Sequence, residues 1–207
     1  MTKLEELRQL EARITDDPTL PLRESTLVFG EGSAKAEVVF IGEAPGFHED
    51  QQGRPFVGRA GKLLDKLIEG IHWRREDVYI TNIVKRRPPE NRDPLPEEIQ
   101  AYKPYLEKQL EIIEPKVIVP LGRFSMMYFL PLGKISKDQG KIFWWREILV
   151  MPVYHPAAAL RNGNLVGDLE SAFAKLPKLV SKHNELLGKR TKPTAGPRPQ
   201  KSPNRLL

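Results

Sequence analysis

Apolar residues follow two rhythms along this chain. Short unbroken runs, "AEVVFIG" (36–42), "DVYITNIV" (77–84) and "KVIVPLG" (116–122), are bounded by Gly, Pro or polar residues and predict buried strands. Between them the apolar positions recur at helical spacing. "LEELRQLEARI" predicts an N-terminal helix, and "GRAGKLLDKLIEGI" (58–71) a second, with Leu63, Leu64, Leu67 and Ile68 on one side. "PEEIQAYKPYLEKQLEIIE" (96–114) is a third, whose Pro96, Glu97 and Glu98 suit a first turn. "RFSMMYFL" (123–130) is a short helix, and "LVGDLESAFAKLPKLVSKH" (165–183) a closing helix with a bend expected near Pro177. "KIFWWREILVMPVYHP" (141–156) reads as a hairpin ending in a fourth core strand, and "RRPPENRDPLP" (86–96) as a Pro-rich loop.

Strands and helices thus alternate. That order predicts a three-layer α/β/α sandwich around a central, mostly parallel four-stranded sheet. Ligands of such folds sit outside the carboxyl ends of the strands. Here those exits read "GEAPG", "TNIVKRRPP", "LGRF" and "YHPAAALRNG".

Composition narrows the classes. With 207 residues, 40% hydrophobic and 29% charged, one packed domain is expected. No run of about eighteen apolar residues exists, and the charged N-terminus lacks a signal peptide's apolar core. A cytoplasmic protein without membrane association is therefore expected, and nothing points to an oligomer, so a monomer is expected too. The chain has no cysteine, which excludes disulfides and thiolate-held metal or iron–sulfur clusters. No cofactor and no metal are expected. The net charge of +6 is uneven: residues 188–207 hold six Lys/Arg and no acid. Without those six, the remaining basic residues of the 33 match the 27 acidic ones. The expected division is a domain over 1–187 and a basic, disordered tail over 188–207 that either adds salt-sensitive affinity for polyanions or only solubilises.

The exits carry the candidate chemistry. In the first, Gly42, Pro45 and Gly46 bend the backbone and allow a ligand close approach, Glu43 offers a carboxylate and Phe56 a flat apolar face. The phosphate-loop and dinucleotide spacings are absent, so an aromatic ligand suits it better than a pyrophosphate. A Gly/Pro turn with Phe56 in the core is the plain alternative. The second exit ends an apolar strand on Asn82, whose amide can pair with a pyrimidine edge or simply cap the next loop. Lys85, Arg86, Arg87 and Arg92 follow, suited to phosphates or to a solvated face. The fourth exit sets His155 directly after a strand, with small residues behind it and Leu160 and Arg161 at the loop tip.

Taken together, "GEAPG", "GRPFVGRAGKLL", "VYITNIVKRRPP", "PKVIVPLGR" and "YHPAAALRN" resemble the uracil-DNA glycosylase superfamily, and within it family 4, in order and spacing across roughly residues 36 to 176. The resemblance implies a DNA repair enzyme of base excision: it flips uracil out of single- or double-stranded DNA and hydrolyses the N-glycosidic bond, leaving an abasic site. By position it implies that Gly42, Glu43, Ala44, Pro45 and Gly46 line the uracil pocket. Phe56 would stack on the base, Asn82 pair with its edge and His155 contact O2. Glu49 would sit near the pocket mouth. Leu160 and Arg161 would enter the minor groove. Apart from the resemblance, the charges of Lys85, Arg86 and Arg87 are expected to face DNA. Glu43 would orient water or favour the sugar cation. No lysine stands at the pocket positions, so a Schiff-base lyase step is not implied and the enzyme would be monofunctional.

Two departures stand out. Family 4 enzymes usually hold a 4Fe–4S cluster on four cysteines, and the matching positions here are Asp17, Leu20, Arg86 and Tyr102. Tyr102 is expected to fill part of that space, and Arg86 to pair with an acid such as Asp17 or to face DNA. Phe47 stands where the family often has an acid. Loss of the cluster keeps open a second class, a catalytically weak or inactive DNA-binding protein with an intact pocket. A third, a nucleotide-binding enzyme, lacks any phosphate-loop spacing.

Overall fold

The computed structural model describes residues 1–190; the part of the expected tail beyond 190 lies outside them. Helix α1 (Lys3–Asp16) opens the chain. Thr2 caps it in a reciprocal capping box with Glu5. There follow β1 (Glu31–Gly32), β2 (Val38–Gly42), α2 (Phe47–Gln52), α3 (Arg59–Gly70), β3 (Tyr79–Asn82), α4 (Pro96–Ile113), β4 (Val117–Pro120), α5 (Arg123–Phe129), α6 (Ile135–Asp138), β5 (Phe143–Trp145), β6 (Ile148–Val150), α7 (Pro156–Arg161), α8 (Leu165–Phe173) and α9 (Leu176–Lys189).

The strands form one sheet in the order β1-β3-β2-β4-β6-β5. The four inner strands are parallel, and β1 and β5 close the edges antiparallel to β3 and β6. The sheet therefore has six strands rather than the four expected. The fifth is the outer arm of the hairpin. The sixth, β1, is two residues long and carries no alternating apolar pattern that periodicity could reveal.

Strand residues alternate between two cores, as the pleat requires. Val38 and Phe40 of β2 pack with Leu64, Leu67, Ile68, Phe173 and Leu176 from α3, α8 and α9. Val39 and Ile41 pack on the other face with Leu7, Leu10, Ile14, Leu106, Leu110 and Ile113 from α1 and α4. Both faces are covered, which is why the inner strands read as continuous apolar runs. The closing helix is broken rather than bent: α8 ends at Phe173, and Pro177 sits in the first turn of α9, where its missing N–H costs nothing. Helix α9 continues to Lys189, two residues past the expected domain end. Among the described residues, no helix is long and apolar enough to cross a membrane.

Candidate active site

The carboxyl ends of the inner strands open into a cleft of about 730 Å³. Glu43, Ala44, Pro45, Gly46, Glu49, Phe56, Asn82, His155 and Arg161 all line it, so most of the expected residues converge on one place. The parallel pairing of β2 with β3 brings Gly42 opposite Asn82. Two further backbone bonds continue that pairing past the sheet: Ile83 N–H donates to the Gly42 carbonyl and Val84 N–H to that of Glu43, both at 3.0 Å.

Gly42 must be glycine. A Cβ there would lie 2.3 Å from Asn82 Oδ1 and 2.6 Å from the Phe56 ring. The two side chains meet directly over it. Phe56 has a left-handed backbone (φ 51°), a conformation that costs free energy for a bulky residue and persists only where surroundings impose it. Three partners impose it. Glu49 Oε1 accepts from Val57 and Gly58 N–H at 2.9 and 3.0 Å. Arg75 donates to the Pro55 carbonyl at 2.6 Å while bridging Glu31 and Asp65. Gly61 leaves room for the Phe56 carbonyl, which a Cβ would meet at 1.7 Å. Glu49 therefore lines the cleft but spends this oxygen on the loop that carries Phe56.

Asn82 is buried, and its Oδ1 has no hydrogen-bond partner. Such an atom is rare in a folded protein and marks a place where a donor is missing. Its backbone is held from below. Lys85, fully buried, donates from Nζ to the Asn82 carbonyl at 2.8 Å, to Thr81 Oγ1 at 2.6 Å and to Gln109 Oε1. Gln109 in turn donates to the Phe29 carbonyl at 3.0 Å. Burial pushes the Lys85 ammonium well below its usual range.

His155 begins α7. Its Nδ1 accepts from Ala157 N–H at 3.1 Å, which leaves the ring proton on Nε2. Its ring lies 5.6 Å from that of Phe56. Burial, helped by the Arg161 cation, lowers its pKa to about 4, so it is a neutral donor at neutral pH. Glu43 moves the other way. Burial raises it to about 7, with Asp93 adding and Arg123 opposing. A carboxylate poised near neutrality, a neutral imidazole N–H, an unpaired amide oxygen and a fixed aromatic face form one wall set.

Three expected DNA contacts are placed differently. Lys85 does not reach the surface, because Thr81, Asn82 and Gln109 satisfy it inside. Arg86 is buried and donates to the Ser25 carbonyl, facing neither DNA nor Asp17. Arg87 is only partly exposed, with its guanidinium 3.7 Å from Asp50 and over the Phe47 ring. Leu160 and Arg161 lie in the last turn of α7 rather than in a loop, and both are exposed. Residues 47–52, for which the apolar pattern predicts no element, form α2. Sequence reading also missed the far wall, with Asn91, Asp93, Phe124, Ile135 and Tyr154. No motif announces them, since they come from segments that meet only in the fold.

A model of the uracil DNA glycosylase superfamily matches residues 29–182. This chain belongs to that superfamily. Among its relatives, the type-4 uracil-DNA glycosylase of Sulfurisphaera tokodaii is 53% identical over 161 residues, covering 73% of each chain. That of Archaeoglobus fulgidus is 47% identical over 173 residues, covering 79% of this chain and 87% of the relative. That of Saccharolobus solfataricus is 51% identical over 162 residues, covering 73% and 75%.

The iron–sulfur cluster that family 4 implies does not fit this member. The chain has no thiolate to hold it, and the four positions are otherwise engaged. Tyr102 is wholly buried and its hydroxyl donates to the Pro21 carbonyl at 2.7 Å. Burial pushes that hydroxyl up to about 12. Arg86 lies beside it, Leu20 is buried in the core, and Asp17 accepts from Thr19 and from the Tyr105 hydroxyl. Tyrosine packing and hydrogen bonds tie residues 17–21 to α4.

Proposed function

We propose that this protein is a monofunctional uracil-DNA glycosylase of base excision repair. The reading rests above all on the partnerless Asn82 Oδ1, buried beside Phe56 and His155. Uracil N3–H supplies the missing donor, and the Asn82 NH₂ donates to uracil O4. Cytosine, with an acceptor at N3 and a donor at C4, mismatches both. Flipping a base costs a few kcal/mol, and stacking on Phe56 returns about 1–3 kcal/mol.

Cleavage breaks the bond between C1′ and N1, whose electron pair leaves on uracil. The His155 Nε2–H donates to uracil O2 as that charge develops, a neutral donor aimed at an anion. Water adds its oxygen to C1′ and gives up a proton, which the departing uracil anion or solvent takes up. Ionised Glu43 provides the negative charge that the sugar cation and the water require. Support for DNA as partner comes from the exposed Arg161, which lines the cleft, and the exposed Leu160 beside it in α7.

The test is direct. An oligonucleotide with one uracil is incubated with the protein, treated with alkali and examined for strand cleavage. Cleavage that disappears in Asn82→Ala and His155→Ala is the expected result. Binding without cleavage would instead support an inactive pocket protein, and cleavage unaffected by both substitutions would refute the assigned roles.

A further inference from the structure

The cleft is larger than a base requires. Uracil has eight heavy atoms. Even at the roughly 30 Å³ that a water molecule occupies in the liquid, the ring needs only about 240 Å³. Asp93, Arg123 and Phe124 also line the cleft, and none of the base contacts above employs them.

Arginines at this rim are not equivalent. Arg92 is committed to the fold: it pairs through two nitrogens with buried Glu98, which also accepts from Leu95 N–H at the start of α4. Arg123 is different. Its guanidinium rests 4.4 Å over the Phe124 ring, and its only ion pair among the described residues is with Asp93, at 2.9 Å. Both side chains are more than 60% exposed. Exposed pairs of this kind contribute little stability and exchange readily. The ring fixes the guanidinium plane, and its N–H edge can meet two oxygens of one anion. The position adjoins the base site, because Gly122 packs on His155, where a Cβ would lie 3.0 Å from that of the histidine.

We propose that Arg123 binds a backbone phosphate flanking the flipped nucleotide, with Asp93 occupying the guanidinium until DNA displaces it. Asp93 is then an internal stand-in for phosphate, and Phe124 the shelf that keeps Arg123 aimed. The proposal rests on the glycosylase reading for the identity of the nucleotide.

Affinity is measured for full-length wild type, Arg123→Gln, Arg123→Lys and Asp93→Asn on a single-stranded oligonucleotide with one uracil, across a salt series. Arg123→Gln is expected to weaken binding about tenfold and to lower the salt slope by about 0.7, one phosphate's share. Arg123→Lys restores part of the affinity, having charge without the fork. Asp93→Asn, by removing the competitor, tightens binding about threefold. Oligonucleotides with one neutral methylphosphonate, placed at either of the two phosphates on each side of the uracil, locate the contact: at one position wild type and Arg123→Gln become equal. Unchanged affinity and slope in Arg123→Gln, looser binding in Asp93→Asn, or no position that equalises the pair would each overturn the proposal. Wild-type cleavage is scored alongside. If it is present while the variants match wild type, the phosphate contact alone is refuted. If it is absent, the glycosylase reading fails while the binding series still decides the contact.

Discussion

The base cleft and the region around Tyr102 stand at opposite ends of one design choice. The cleft leaves polar capacity unspent: an amide oxygen without a donor, a carboxylate shifted to about 7, an aromatic residue in a costly backbone state. Around Tyr102 the residues that replace cluster ligands mostly spend theirs, on the Pro21 and Ser25 carbonyls and on Thr19 and Tyr105. The Tyr102 region keeps one buried atom without a partner, Arg86 Nε, but most of its polar groups are closed within the fold, whereas those of the cleft face a ligand.

The contrast predicts activity losses without stability losses on one side, and the reverse on the other. The largest effect is expected in the cleft: His155→Ala and Asn82→Ala lower the single-turnover cleavage rate by about 10²–10³, the usual cost of a lost preorganised donor, with melting temperature nearly unchanged. A fall in melting temperature as large as the one below would break the comparison. Next is Tyr102→Ala. It empties a buried aromatic site at about 3–5 kcal/mol, which lowers the melting temperature by on the order of 10 °C while cleavage at low temperature survives. Calorimetry and activity on one sample decide it. The third concerns pH. Glu43 acts ionised and its pKa is raised to about 7, so cleavage is lost as pH falls through 7 and is fully present above it. His155 stays neutral across that window. A rate that is flat between pH 5.5 and 8.5, or a limb that persists in Glu43→Gln, would remove Glu43 from the chemistry. The smallest effect is expected from Arg86→Met, which keeps the stem packing and gives up one hydrogen bond to Ser25, about 1.5–3 kcal/mol at most, with no change in DNA affinity. Weakened DNA binding would return Arg86 to the interface.

Much of the cleft was legible because its residue types are out of place on apolar strands. Asn82 ends a buried strand, and His155 lies just beyond another, two residues after the bridge of Val153 to Leu121. The strands were legible for the same reason in reverse, as unbroken apolar runs. What misled was charge. Lys85 and Arg86 look like surface residues in a Pro-rich basic loop, but Gln109 stands 24 residues away and Ser25 stands 61, and only the fold brings these partners to them. Glu49 was found at the cleft, but its two backbone donors at 57 and 58 could not be read from spacing. The short strand β1 left no pattern at all.

Phe56 carries a consequence for the thermodynamics of recognition. Ordering a side chain on binding costs about 0.5–1.5 kcal/mol. Here Glu49, Arg75 and Gly61 fix the loop in the folded protein, so that entropy is spent once, during folding, and not at each encounter with a base. A substitution at Arg75, which does not line the cleft, would therefore register as an entropic loss in calorimetric binding, with the enthalpy of stacking kept.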